Sequence, residues 1–316
     1  MKNIWSKKLI FMILALTMAL SSNATAANDK IRFASVGWTG VTVKTKLTTD
    51  ILESLGYSTT KKTLSVPIAY KALEMGDADV FLGNWMPSMA NIAQKFFDNG
   101  SVEQYVANMP GAKYTLAAPK FVVEAGLDDF SDIEKYADKL GHKIYGIEPG
   151  NDGNQIILDM IEKDMFGLGD FKLVETSESI MVAEVKGMAE RGEWAVFLGW
   201  APHHMNALID MEYLSGSTEE TFGPDDGTAT VYTNIRSGFD EEHPNVAKFL
   251  KNLIFPVEMM NEIMHMLNSD KSLEHTEAAL KWVKKHPEVY RGWFEGVTTA
   301  DGKPALPAFE AYLQTL

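Results

Sequence analysis

Cysteine is absent from the 316 residues. Its absence excludes disulfide staples, thiolate metal sites and a lipid anchor carried on a cysteine. Basic residues are scarce beside acids, 29 against 43, which leaves a formal charge of −14. That balance argues against nucleic acid or an anionic membrane as partner and gives a weak field that attracts cations. Long apolar runs are lacking as well, with one exception at residues 9–20. It follows Lys2, Lys7 and Lys8 and precedes Ala24-Thr25-Ala26, the three parts of a secretory leader whose core is too short to span a bilayer. Cleavage is expected after Ala26, and a cysteine-free exported chain fits the periplasm. Phosphate-loop, nucleotide and G-x-S-x-G tracts are missing too, so no cofactor is expected.

What is present alternates. Residues 30–36 read as a strand, residues 43–55 as a helix with Val43, Leu47, Ile51 and Leu55 on one face, and residues 57–66 as a second extended stretch. A helix at 68–75 and a strand at 78–82 follow. A second series opens with a strand at 114–123 and runs through a helix near 133–140 and a strand at 143–147. Helices at 154–165 and 179–191 then alternate with strands at 171–176, 193–198 and 228–234, before a mainly helical tail. Strands alternating with helices predict parallel pairing through right-handed crossovers, hence an α/β fold.

One tract is written nearly twice: F-L-G-N-W-M-P-S-M from Phe81 and F-L-G-W-A-P-H-H-M from Phe197. With Val36-Gly37-Trp38, it gives three strand ends that carry a tryptophan after a glycine. Ligands of open α/β sheets collect beyond the carboxyl ends of the strands, and glycine lets the chain turn there. Several π faces converging with few fixed charges suit a bulky, poorly hydrated cation, each face contributing ~0.5–2 kcal/mol. Sugar stacking is the chemical competitor, either in a receptor or in a secreted hydrolase using Glu148 and Asp152 as its carboxylates. The tract E-P-G-N-D-G-N at 148–154 and Gly40-Val41 each lie at a helix start, where backbone N–H groups suit a carboxylate. His203-His204 lacks any metal-ligand spacing, so no metal is expected; His203 is a candidate hydrogen-bond partner of a ligand. Trp194, Trp282, Tyr290 and Trp293 read as packing residues.

Taken together, G-W-T at 37–39, F-L-G-N-W-M-P, Y-G-I-E-P-G-N-D-G-N and V-F-L-G-W-A-P-H-H-M resemble the choline and glycine betaine substrate-binding proteins of bacterial ABC importers. The likeness runs from about residue 30 to 255. It implies a two-lobed type II periplasmic binding fold whose two crossover strands, at 114–119 and 228–234, form the hinge. Lobe 1 would comprise residues 27–113 and 232–316, and lobe 2 residues 114–231. The resemblance further implies a cage of Trp38, Trp85, Tyr114 and Trp200 for a quaternary ammonium, with Asn151 as a polar contact. Gly40, Val41 or His203 would meet the ligand's other end. It also implies an ABC permease as partner of a monomeric receptor. One departure stands out. The choline branch typically carries an acid two positions after the first tryptophan, and here that position is Gly40.

Overall fold

The computed structural model describes residues 30–316; the expected leader at 1–26 lies outside them. The chain alternates as the pattern predicts. β1 (Ile31–Ser35), α1 (Thr39–Ser54), β2 (Thr59–Thr63), α2 (Val66–Glu74), β3 (Val80–Met86) and α3 (Ala90–Asp98) form a first series. It is followed by β4 (Val102–Pro119), β5 (Lys143–Tyr145), α4 (Asp152–Glu162), β6 (Lys172–Val174), α5 (Glu178–Glu190), β7 (Phe197–Ala201), β8 (Met211–Tyr213) and β9 (Thr228–Arg236).

The nine strands make one mixed sheet in the order β2-β1-β3-β9-β4-β7-β5-β6, with β8 added beside β4. Within β2-β1-β3 and within β7-β5-β6 all pairs are parallel, as βαβ crossovers require. The antiparallel pair β9 and β4 joins the two sets. β4 is the crossing strand: it pairs with β9 over residues 102–113 and with β7 over residues 113–117. The fold is therefore α/β in two parallel sets linked by two long strands.

β4 is much longer than the sequence suggests. Its eighteen residues include Pro110 and Gly111, which sit at a register shift against β9 between Met109 and Ala112. A proline needs no ladder partner at a bulge, so the strand continues through it. The far end is shorter than expected, because residues 120–124 turn into a helix. At the outer end of the first set, buried Asp79 accepts from Arg32 Nε at 2.8 Å and Arg236 Nε at 2.6 Å, pinning β1 and β9 to the start of β3.

The tail is helical: α6 (Pro244–Asn252), α7 (Val257–Ser269), α8 (His275–Lys285) and α9 (Ala305–Gln314). α8 and α9 pack on α1, and α7 on α8 and β4. Trp282, Tyr290 and Trp293 are buried in this layer, and Trp194 packs on Tyr136 at 4.9 Å between ring centroids. Their packing role is as expected. Among the described residues no helix is long and apolar enough to cross a membrane.

Candidate ligand-binding site

A pocket of about 500 Å³ of open space, mouth included, lies where the two parallel sets meet. Trp38 is the residue that precedes α1, Trp85 lies near the end of β3, Tyr114 is in β4 and Trp200 is in β7. All four rings line the pocket, with Gly40 and Val41 beside them. Tyr114 occupies the middle. Its ring centroid is 5.9 Å from that of Trp85 and 6.1 Å from that of Trp200. Its hydroxyl lies so near Gly153 that a Cβ there would come within 2.0 Å of it. Only glycine lets the start of α4 approach the ring so closely.

The strands hold the rings in place from behind. Asn84, next to Trp85, accepts from Tyr70 Oη at 2.8 Å and donates to Asn234 Oδ1 at 3.1 Å, a buried network that ties β3 to β9. Gly83 and Gly199 do not turn the chain, contrary to the sequence reading. Both lie inside strands, and their missing side chains serve packing: a Cβ would stand 2.9 Å from Val41 at Gly83 and 2.7 Å from Ala117 at Gly199. Each tract ends in a cis peptide, Met86–Pro87 in one and Ala201–Pro202 in the other.

Two expected contacts are not among the pocket's lining residues, and each has a local reason. Asn151 is the N-cap of α4; its Oδ1 accepts from the Asn154 backbone N–H at 2.9 Å, and its Nδ2 donates to the Glu148 carbonyl. One acceptor and one donor of the amide are thus taken by its own loop. His203 is buried behind Trp200, 4.7 Å between centroids. Its Nδ1 accepts from the Met205 N–H at 3.1 Å and its Nε2 lies 3.0 Å from Glu178 Oε1. His204 is half-buried, and desolvation lowers its pKa to about 4.

The sequence reading missed the polar groups that matter most. Asp152, weighed there only as a hydrolase carboxylate, lines the pocket with both oxygens buried; Ser88 and the Asp152 and Gly153 N–H groups lie close by, but none makes a well-formed hydrogen bond to it among the described residues. The nearby Ser88 hydroxyl donates instead to the Trp85 carbonyl at 3.2 Å. Burial lifts the Asp152 carboxyl to about 6. Lys44, one helical turn after Gly40, also lines the pocket. Burial lowers its ammonium to about 7. The i, i+4 spacing from Gly40 was the available signal. Met109, Ile147, Pro202 and Met260 complete an apolar lining.

Two further carboxylates clamp the start of α1 from the side of α4 and α5. Trp38 Nε1 donates to Glu148 Oε1 at 2.6 Å. Thr39 donates to Glu178 through its backbone N–H at 3.2 Å and its hydroxyl at 2.5 Å. Burial raises Glu178, but His203 and Thr39 outweigh it, and the carboxyl ends below its usual range. These bonds join segments over a hundred residues apart and draw the two walls of the pocket together.

Residues 29–285 match the family described as the substrate binding domain of ABC-type glycine betaine transport systems. The chain belongs to this family. Among solved structures, an ABC-transporter choline binding protein in complex with choline is 48% identical, with a TM-score of 0.87 over 90% of this chain and 98% of that one. A choline binding protein in an unliganded semi-closed conformation gives 0.81 at the same identity and coverage. The structure is thus nearer in shape to the liganded relative, consistent with the clamp on α1. A glycine betaine/carnitine transport binding protein of Listeria monocytogenes is 27% identical over 52% of this chain and 53% of its own length. Family membership makes the chain a transport protein and gives the aromatic pocket its context.

Proposed function

We propose that this chain is the periplasmic receptor of an ABC importer and that it binds a quaternary ammonium compound of the choline or glycine betaine class. The observation that carries the reading is the pocket itself: four aromatic rings around a space whose one carboxylate, Asp152, is buried and unpartnered. A quaternary ammonium has no N–H to donate, so π faces and a buried counter-charge are what it can use. In this reading Trp38, Trp85, Tyr114 and Trp200 hold the ammonium, Gly40 and Val41 face its tail, and Asn151 and His203 brace the loops behind them.

What the related proteins bind supports this class over a sugar. In this reading residues 30–113 with 232–316 form one lobe and residues 114–231 the other, and hinge bending at the two long strands closes them on the ligand. The closed receptor, a monomer with no catalytic role, delivers its ligand to a membrane permease. Calorimetry on the purified receptor is the direct test. Heat is expected with at least one of choline, glycine betaine, carnitine and dimethylsulfoniopropionate. Silence from all four, with a sugar giving heat, would overturn the reading.

A further inference from the structure

Lys44 is an odd residue to bury. It is 2% exposed, its Nζ donates to Asn108 Oδ1 at 3.0 Å, and it stands over the Phe255 ring at 5.7 Å. Asn108 spends its own amide on the Leu82 carbonyl and Thr233, so it offers Lys44 a single acceptor. An ammonium has three donors, and no carboxylate pairs with this one among the described residues. The fold gains little from a charge here.

The pocket explains the charge better than the fold does. Gly40, on the same helix face one turn earlier, leaves open space: a Cβ there would meet nothing within 4 Å. The N–H groups of Gly40 and Val41 have no acceptor among the described residues. This wall therefore carries one ammonium and free backbone donors, while the opposite wall carries the unpartnered carboxylate of Asp152. Resting on the quaternary-ammonium reading, we propose that Lys44 is the receptor for an anionic tail, so that the site selects a zwitterion, a quaternary ammonium joined to a carboxylate-like group, over choline.

Proton linkage separates the two ligand types. Burial places the unliganded Lys44 near pH 7. An anionic tail would keep it charged and draw in a proton, whereas a simple cation would favour its neutral form and expel one. The other titratable residues lining the pocket are Asp152, about 6, and Tyr114, which burial keeps neutral; Asn108 and Phe255, which face Lys44 directly, do not titrate.

The test is calorimetry on the purified receptor and on Lys44→Met, with choline, glycine betaine and γ-butyrobetaine at pH 6.5 and 8.5. In the unmodified receptor a zwitterion should bind about tenfold or more tighter than choline at pH 6.5. Its affinity should fall by about tenfold at pH 8.5 while choline's holds or rises. Lys44→Met should abolish both the preference and that pH dependence. Equal losses for choline and both zwitterions in Lys44→Met would mark Lys44 as structural and overturn the inference. So would choline binding the unmodified receptor as tightly as either zwitterion, an arm that needs no variant. If none of the three binds, this inference falls, and the receptor reading falls with it only if a sugar binds in their place; if only choline binds, this inference falls alone.

Discussion

The two helices that open onto the pocket start in opposite ways. α4 begins with a side-chain cap from Asn151 and an acid, Asp152, in its first position, the arrangement a helix N-terminus favours. α1 begins with Trp38 and no side-chain cap, borrows Glu178 from the other wall, and places a lysine in its second turn. Folding accounts for the Asn151 cap and for an acid at the start of α4, but not for burying the Asp152 carboxylate without a partner. Nor does it account for Lys44, whose burial without a carboxylate partner is costly. A costly feature facing a cavity suggests a role in binding. The α4 wall thus carries a charge at a helix position that favours it, and the α1 wall a charge with no carboxylate partner of its own.

The largest expected effect breaks both walls alike. Trp85→Ala removes a half-buried ring from the cage without emptying the core. With about 2–3 kcal/mol at stake from π contact and burial together, affinity should drop roughly 30–100-fold for choline and glycine betaine equally. Calorimetry reads this directly, and a change under about threefold would mean the rings are not the ammonium site.

A smaller effect sharpens the α4 wall. Asp152→Asn keeps the shape and removes the counter-charge, and roughly tenfold weaker binding of any quaternary ammonium is expected at pH 7.5. The carboxyl lies at about 6 because burial disfavours its charge, so it protonates as pH falls through that value. Affinity in the unmodified receptor should therefore fall below pH 6, and the asparagine variant should lose that acid limb. A limb that survives the substitution would assign it to another group, with Glu148, raised by burial, the next to examine.

How much of this was legible beforehand follows from what each residue type can conceal. Three of the rings were readable because tryptophan after glycine at a strand end has few other uses; Tyr114 came only from the family resemblance, and the two parallel sets followed from alternation. The length of β4 was hidden by Pro110-Gly111, since a bulge and a turn share their residues. Lys44 was hidden because a helical lysine ordinarily lies in solvent. Asn151 and His203 were ambiguous for the converse reason: polar side chains beside a pocket can satisfy their own loop as readily as a ligand. Charge placement depended on which helix faces the neighbouring layer left uncovered, and that is a property of the packed chain.

The smallest effect tests whether the two charges of the comparison belong to one ligand. Gly40→Asp adds a carboxylate on α1 where nothing stands within 4 Å, at a helix start that accepts acids. One turn from Lys44, it can pair with the ammonium and remove the anion site without touching the cage. Choline should gain and glycine betaine should lose, each by about threefold. Because the new carboxylate works through Lys44, the double variant Gly40→Asp with Lys44→Met should differ from Lys44→Met by a different ratio than the single variant differs from the parent, a coupling that distant independent sites do not show. Additive ratios, or choline affinity that stays flat or falls, would place the ligand's polar end away from the α1 wall.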